Sequence, residues 1–159
     1  MNVNELYLKT IFCCMACDGD IAKEELALVS KITLEQPGFA EMDIEAILNS
    51  YVTGINEKGT TFLTNYLKEL SDVELTEQQQ LCIVDFAVQT IVADSKIEYT
   101  EVKFFKKIRS RLSLTDEQIL EHQKIDVEDW LLPDIRVAEE PEWKDVTFEN
   151  IKLTEYEQK

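Results

Sequence analysis

The segment TIFCCMACDGDIAKEELALVSKI, Thr10 to Ile32, joins two apolar-periodic stretches through an Asp-Gly-Asp corner. Before the corner, Leu6, Tyr7, Ile11, Cys14 and Met15 fall on one broad helical face, and the strict alternation of a strand fits them less well. After it, Leu26, Leu28, Val29 and Ile32 restart an amphipathic helix that stops before Gln36-Pro37-Gly38. Two core-seeking helices joined by so short a corner must pack against neighbours, which constrains the chain toward helix-on-helix architecture.

The pattern recurs. FAVQTIVADSKIEYTEVKFFKKI, Phe86 to Ile108, aligns with Thr10 to Ile32, placing Asp94 on Asp18, Ile97 on Ile21, Glu101 on Glu25 and Val102 on Leu26. With Ala22 and Glu98 as N-caps, Ile21/Leu26 and Ile97/Val102 have the spacing of hydrophobic staples. Glu25 and Glu101 then stand at the third helical position, where a carboxylate reaches back to the cap N–H and meets the positive end of the helix.

Further helices are predicted over Met42 to Val52 and over Phe62 to Leu70, the latter with Asn56 as a cap ahead of it. Thr76 with Gln79 forms a capping box for a long helix to Ala93. Thr115 with Gln118 forms another, with Leu114 and Ile119 as its staple. The expected fold is all-α, a compact helical bundle with an internally repeated helix pair over residues 1–124. Residues 125–159 form an acidic tail interrupted by Pro133 and Pro141. Within the tail, WKDVTFENIKL has the makings of one short strand or hairpin arm.

The charge narrows the partners. With 32 acidic against 16 basic side chains, a net charge of −16 repels a phosphate backbone and anionic lipid and favours cations or a protein partner with a basic surface. No apolar run approaches the roughly 20 residues of a membrane-spanning helix, and the acidic start lacks the basic flank of a secretory signal. Direct membrane insertion is therefore not expected, and the location read from the sequence is cytoplasmic.

MACDGDIAKEELALVSKI together with IVADSKIEYTEVKFFKKIRSRLSLTDEQI resembles the tellurite-resistance TerB-like family of helical proteins. The likeness rests on the small residue before Asp-Gly, the hydrophobic residue three places after Asp18, the acidic residue four further on, and the second such corner before LSLTDEQI. It covers about Asn4 to Gln123. It implies an all-helical domain with a repeated helix pair, a divalent-metal or acidic interaction surface, and a bacterial setting of stress resistance, membrane-associated complexes or defence. Asp18 and Asp94 match the family's leading aspartates, and Glu25 and Glu101 its helix-start glutamates. The second corner departs from the pattern, carrying Ser95 for glycine and Lys96 opposite Asp20.

Asp18, Asp20, Glu24 and Glu25 thus carry two readings. One is a hard-oxygen site for Ca2+ or Mg2+, completed by carbonyls and water; the other is capping, solubility and ion pairing between helices. The ordered donor series of an EF-hand is absent. Asp94, Glu98 and Glu101 form a second acidic corner whose field Lys96 offsets. Cys13, Cys14 and Cys17 lack the ligand partners of a zinc site and read as small buried side chains.

Lone His122 has no nucleophile beside it and no phosphate-binding glycine loop occurs, so a non-enzymatic protein is expected. Phe104 and Phe105 read as packing residues, with Tyr99 toward the edge. Trp130, Leu132, Trp143 and Phe148 are apolar residues set among acids, suited to docking on the bundle or to anchoring a partner. The functional expectation is a TerB-like accessory protein with an acidic, cation-assisted interaction surface. The alternative is a metal-independent adaptor.

Overall fold

The computed structural model of the chain describes residues 3–17, 19, 21–40, 42–93, 99–123, 147, 148, 150 and 151. Among them the fold is entirely helical: α1 (Val3–Ala16), α2 (Lys23–Glu35), a 3-10 turn (Pro37–Phe39), α3 (Ile44–Lys58), α4 (Thr60–Asp72), α5 (Glu77–Val92), α6 (Tyr99–Ser110) and α7 (Asp116–His122).

α1 is the axis of the bundle. Every residue from Leu6 to Cys17 is buried, because α5 packs along the helix while α3, α4 and α6 contact it as well. The sequence predicts one broad apolar face here, yet Leu8, Phe12 and Cys13 are buried too. An apolar helix at the centre of a bundle has no solvent side to leave polar.

Its two buried polar residues are satisfied where they stand. The Lys9 ammonium donates to both carboxylate oxygens of Glu69 on α4, at 2.9 and 2.8 Å, and lies over the rings of Phe62 and Tyr51, 5.0 and 5.8 Å from their centroids. The Thr10 hydroxyl donates to the Leu6 carbonyl at 2.8 Å, which leaves its oxygen to accept from the Tyr66 hydroxyl at 2.6 Å.

Local chemistry sets most helix ends. At the start of α2, Ile21 and Leu26 both pack against the core, as the staple predicts. Both threonine capping boxes are present: Thr76 accepts from the Gln79 N–H at 3.1 Å and Thr115 from the Gln118 N–H at 3.2 Å, while each glutamine returns the bond. The region between α3 and α4 differs from the expectation. Asp43 caps α3, which then runs through Asn56 to Lys58, so Asn56 is an interior helical residue rather than a cap. The break comes at Gly59, whose φ of +60° a side chain would resist.

At the far end Gln80 of α5 grips the turn before α7, accepting from the Ser113 N–H at 2.8 Å, and Arg109 pairs with Asp116 at 2.9 Å. From the tail, Phe148 and Ile151 join the hydrophobic core, 8% and 3% exposed, and the described residues around them have no regular secondary structure. Trp130, Leu132 and Trp143 lie outside the described residues.

If α1 is the axis, truncating it must cost far more than truncating the surface. Leu8→Ala, at a site with no exposure, is expected to lower the unfolding free energy by about 2–5 kcal/mol in urea titration. Leu34→Ala on α2, 65% exposed, is expected to change it by less than about 0.5 kcal/mol.

Candidate functional site

The first acidic corner is built on a left-handed glycine. After α1, Gly19 takes φ +88° and its N–H returns to the Ala16 carbonyl at 2.9 Å, closing the helix end. Within the last turn the Cys17 thiol donates to the Cys14 carbonyl at 3.3 Å. The chain extends through Ile21 and Ala22 and re-enters helix at Lys23.

Here Glu24 and Glu25 part company. Glu24 faces solvent, whereas Glu25 is 4% exposed and its Oε1 accepts from the Ala22 N–H at 2.8 Å. Ala22 has no side-chain acceptor to offer, so this glutamate supplies the only side-chain half of the cap. The positive end of α2 favours the carboxylate at that position.

The second corner opens into α6 at Tyr99, and Glu101, in the first turn, is buried at 3% exposure. Glu25 and Glu101 are 76 positions apart in the chain, yet both bear on one side chain of the central helix. The Cys14 thiol is pushed well up, first by burial and then by the negative fields of Cys13, Glu25 and Glu101. Two of the predicted acidic residues, Glu25 and Glu101, are therefore buried and act on the Cys14 thiol through their fields, while Glu24 stays on the surface. Asp18, Asp20, Asp94 and Glu98 lie outside the described residues.

Among the described residues no group of three or more His, Cys, Asp or Glu side chains has the arrangement to hold a metal ion. None of the four cysteines is in a disulfide; three are buried and Cys82 is half-buried. His122 is exposed at the end of α7, where its Nε2 meets Asp85 Oδ2 at 2.8 Å and Gln123 donates to the other Asp85 oxygen at 2.7 Å. That trio ties α7 to α5.

One constellation escapes sequence reasoning. Asn56 Nδ2 donates to the Phe148 carbonyl at 3.0 Å while its Oδ1 accepts from the Phe148 N–H at 2.7 Å. Two turns earlier on α3, Asn49 does the same to Ile151, at 3.1 and 2.6 Å. The only trace in the sequence is a pair of asparagines seven residues apart, and nothing local announces what they hold.

No protein-family model matches the chain, and no curated protein or solved structure matches it.

The thiols give a direct check on the site. Burial raises the Cys13 thiol strongly and the Cys82 thiol as well, but Cys82 alone has solvent contact. Alkylation at about pH 8 is expected to label Cys82 first and to reach Cys13, Cys14 and Cys17 only on unfolding. Mass spectrometry of peptides from a labelling time course reads the order directly.

Proposed function

We propose that this protein is a non-enzymatic, TerB-like accessory protein of bacterial stress or tellurite resistance. In this reading its two helix corners form one acidic, cation-assisted surface for a partner with a basic face. The observation that carries the reading is the burial of Glu25 and Glu101 at equivalent places after the two corners, with the negative field of each reaching Cys14 on α1. Paired positions, Val29 with Phe105 and Ile32 with Ile108, are buried alike, which supports the repeated helix pair.

In this mechanism Asp18 and Asp20, on either side of the Gly19 turn, attract Ca2+ or Mg2+. Exposed Glu24 and the rest of the oxygen shell come from the same corner, with Asp94 and Glu98 adding field from the second. Ca2+ accepts six to eight oxygens in flexible geometry, which suits a corner made of short carboxylates and carbonyls. Glu25 holds the start of α2 through the Ala22 N–H and Glu101 is buried in the first turn of α6, so in this reading a bound ion steadies the surface that the partner meets. The net charge of −16 steers a basic partner toward the protein and makes the encounter sensitive to salt.

A second reading is favoured by the Ala22–Glu25 bond: a carboxylate already committed to a helix start serves architecture without any ion. The protein is then a metal-independent adaptor with the same surface.

Calorimetric titration of chelator-stripped protein with Ca2+, and with Mg2+ in parallel, separates the two. The cation reading expects saturable binding that weakens about tenfold or more in Asp18→Asn, a ligand lost from an oxygen shell. It also expects weakening in Asp94→Asn, because the corners share a field. Heat-silent titrations with an intact helical spectrum leave the adaptor reading in place.

A further inference from the structure

The two asparagines of α3 treat residues 148 and 151 as a ligand. A primary amide carries one acceptor and one donor side by side, the complement of the N–H and C=O that a single residue shows along one edge of an extended chain. Asn56 completes both bonds with Phe148 and Asn49 completes both with Ile151, so four hydrogen bonds read main chain alone. The backbone N–H groups can only donate, which fixes the orientation of each amide.

The spacing is matched on both sides. Seven residues of α-helix advance about 10.5 Å. Three residues of extended chain cover about 9–10 Å, and in a three-residue polyproline-type repeat positions i and i+3 return to the same face. Accordingly Phe148 and Ile151 both present their backbone to an asparagine and both bury their side chains, while Thr147 and Asn150 are exposed. The result is a bipartite recognition of main chain at the two ends of an aromatic-x-x-aliphatic sequence, 92 and 102 residues along the chain from the asparagines that read it.

The occupant is imperfect in charge. The segment DVTFENIKL contributes Asp145 and Glu149 to a chain already at −16, so it brings like charge to an acidic protein. The same apolar spacing with basic residues in those places removes that repulsion.

We propose that the Asn49/Asn56 face of α3 is a backbone-reading peptide site. Phe148 and Ile151 occupy it as a built-in competitor, and its ligand in trans is an extended segment of a partner protein with an aromatic-x-x-aliphatic core and basic flanks. The site uses residues other than those of the acidic corners and operates with or without a cation there. Tethered in cis, the chain's own segment competes at an effective concentration of about millimolar, the range set by short linkers, and so keeps weak peptides out.

Fluorescence anisotropy with a labelled DVTFENIKL peptide tests this on the full-length chain. A chain carrying Phe148→Ala and Ile151→Ala is expected to bind the peptide at least about tenfold more tightly than wild type, because the competitor is disabled. Replacing Asp145 and Glu149 of the peptide by lysine is expected to tighten binding at low salt. N-methylation of the peptide at the Phe148 and Ile151 nitrogens, which removes two donors and keeps both side chains, is expected to weaken it about tenfold or more. Asn56→Ala in the double-variant chain is expected to do the same.

A folded double variant that binds no better than wild type overturns the proposal, as does equal binding of the N-methylated peptide. Should the double variant lose its helical spectrum, Ile151→Ala alone takes its place. Wild type at millimolar peptide supplies the same comparison of plain against N-methylated ligand, and equal binding there also rejects the site.

Discussion

The burial of α1 on every side is the constraint on which the rest of the molecule depends. A helix that leaves no face to solvent must have neighbours all round, and α3, α4, α5 and α6 supply them. It must also satisfy each polar atom it carries inward. Lys9 does so through Glu69 and two aromatic rings, and Thr10 through Leu6 and Tyr66, which ties α4 to the axis by charge and by hydrogen bond. Removing Tyr66 or Thr10 leaves the other hydroxyl of a buried contact without its partner, while Glu69 is half-exposed and holds Lys9 at the rim, so the two contacts together specify where α4 sits.

From that axis the corners acquire their geometry. α1 ends at a left-handed glycine, α2 starts on a glutamate cap, and the field of the equivalent glutamate of α6 reaches the same stretch of α1. Glu25 and Glu101 are buried in the first turns of separate helices, and the fields of both push the Cys14 thiol up after burial itself has done so.

What was legible in the sequence was what is local. The capping boxes at Thr76 and Thr115 and the Glu25 cap lie within a few residues of their partners and appear as read, and both residues of the Ile21/Leu26 staple pack against the core. Lengths were less legible. α3 was expected to stop at Val52 because polar Thr53 and Asn56 interrupt its apolar rhythm, yet it continues to Lys58, carried by Ile55 on the core side and ended only by Gly59. The equivalent placing of Glu25 and Glu101 was foreshadowed by their alignment but not their burial, which depends on packing around α1. The asparagine clamp was illegible because its hydrogen bonds span most of the chain and an isolated asparagine near a helix boundary reads equally well as a cap.

The account holds that the two acidic corners respond as one unit on a rigid central helix. Amide hydrogen exchange of the full chain, with and without Ca2+, tests that most directly because it reports each segment separately. The predicted result is that α1 amides exchange only through global unfolding in both conditions. Protection at Ile21–Leu26 and at Tyr99–Val102 then rises together, with one shared Ca2+ midpoint. Protection of a single corner, or none at either while α1 frays before the outer helices, would contradict it.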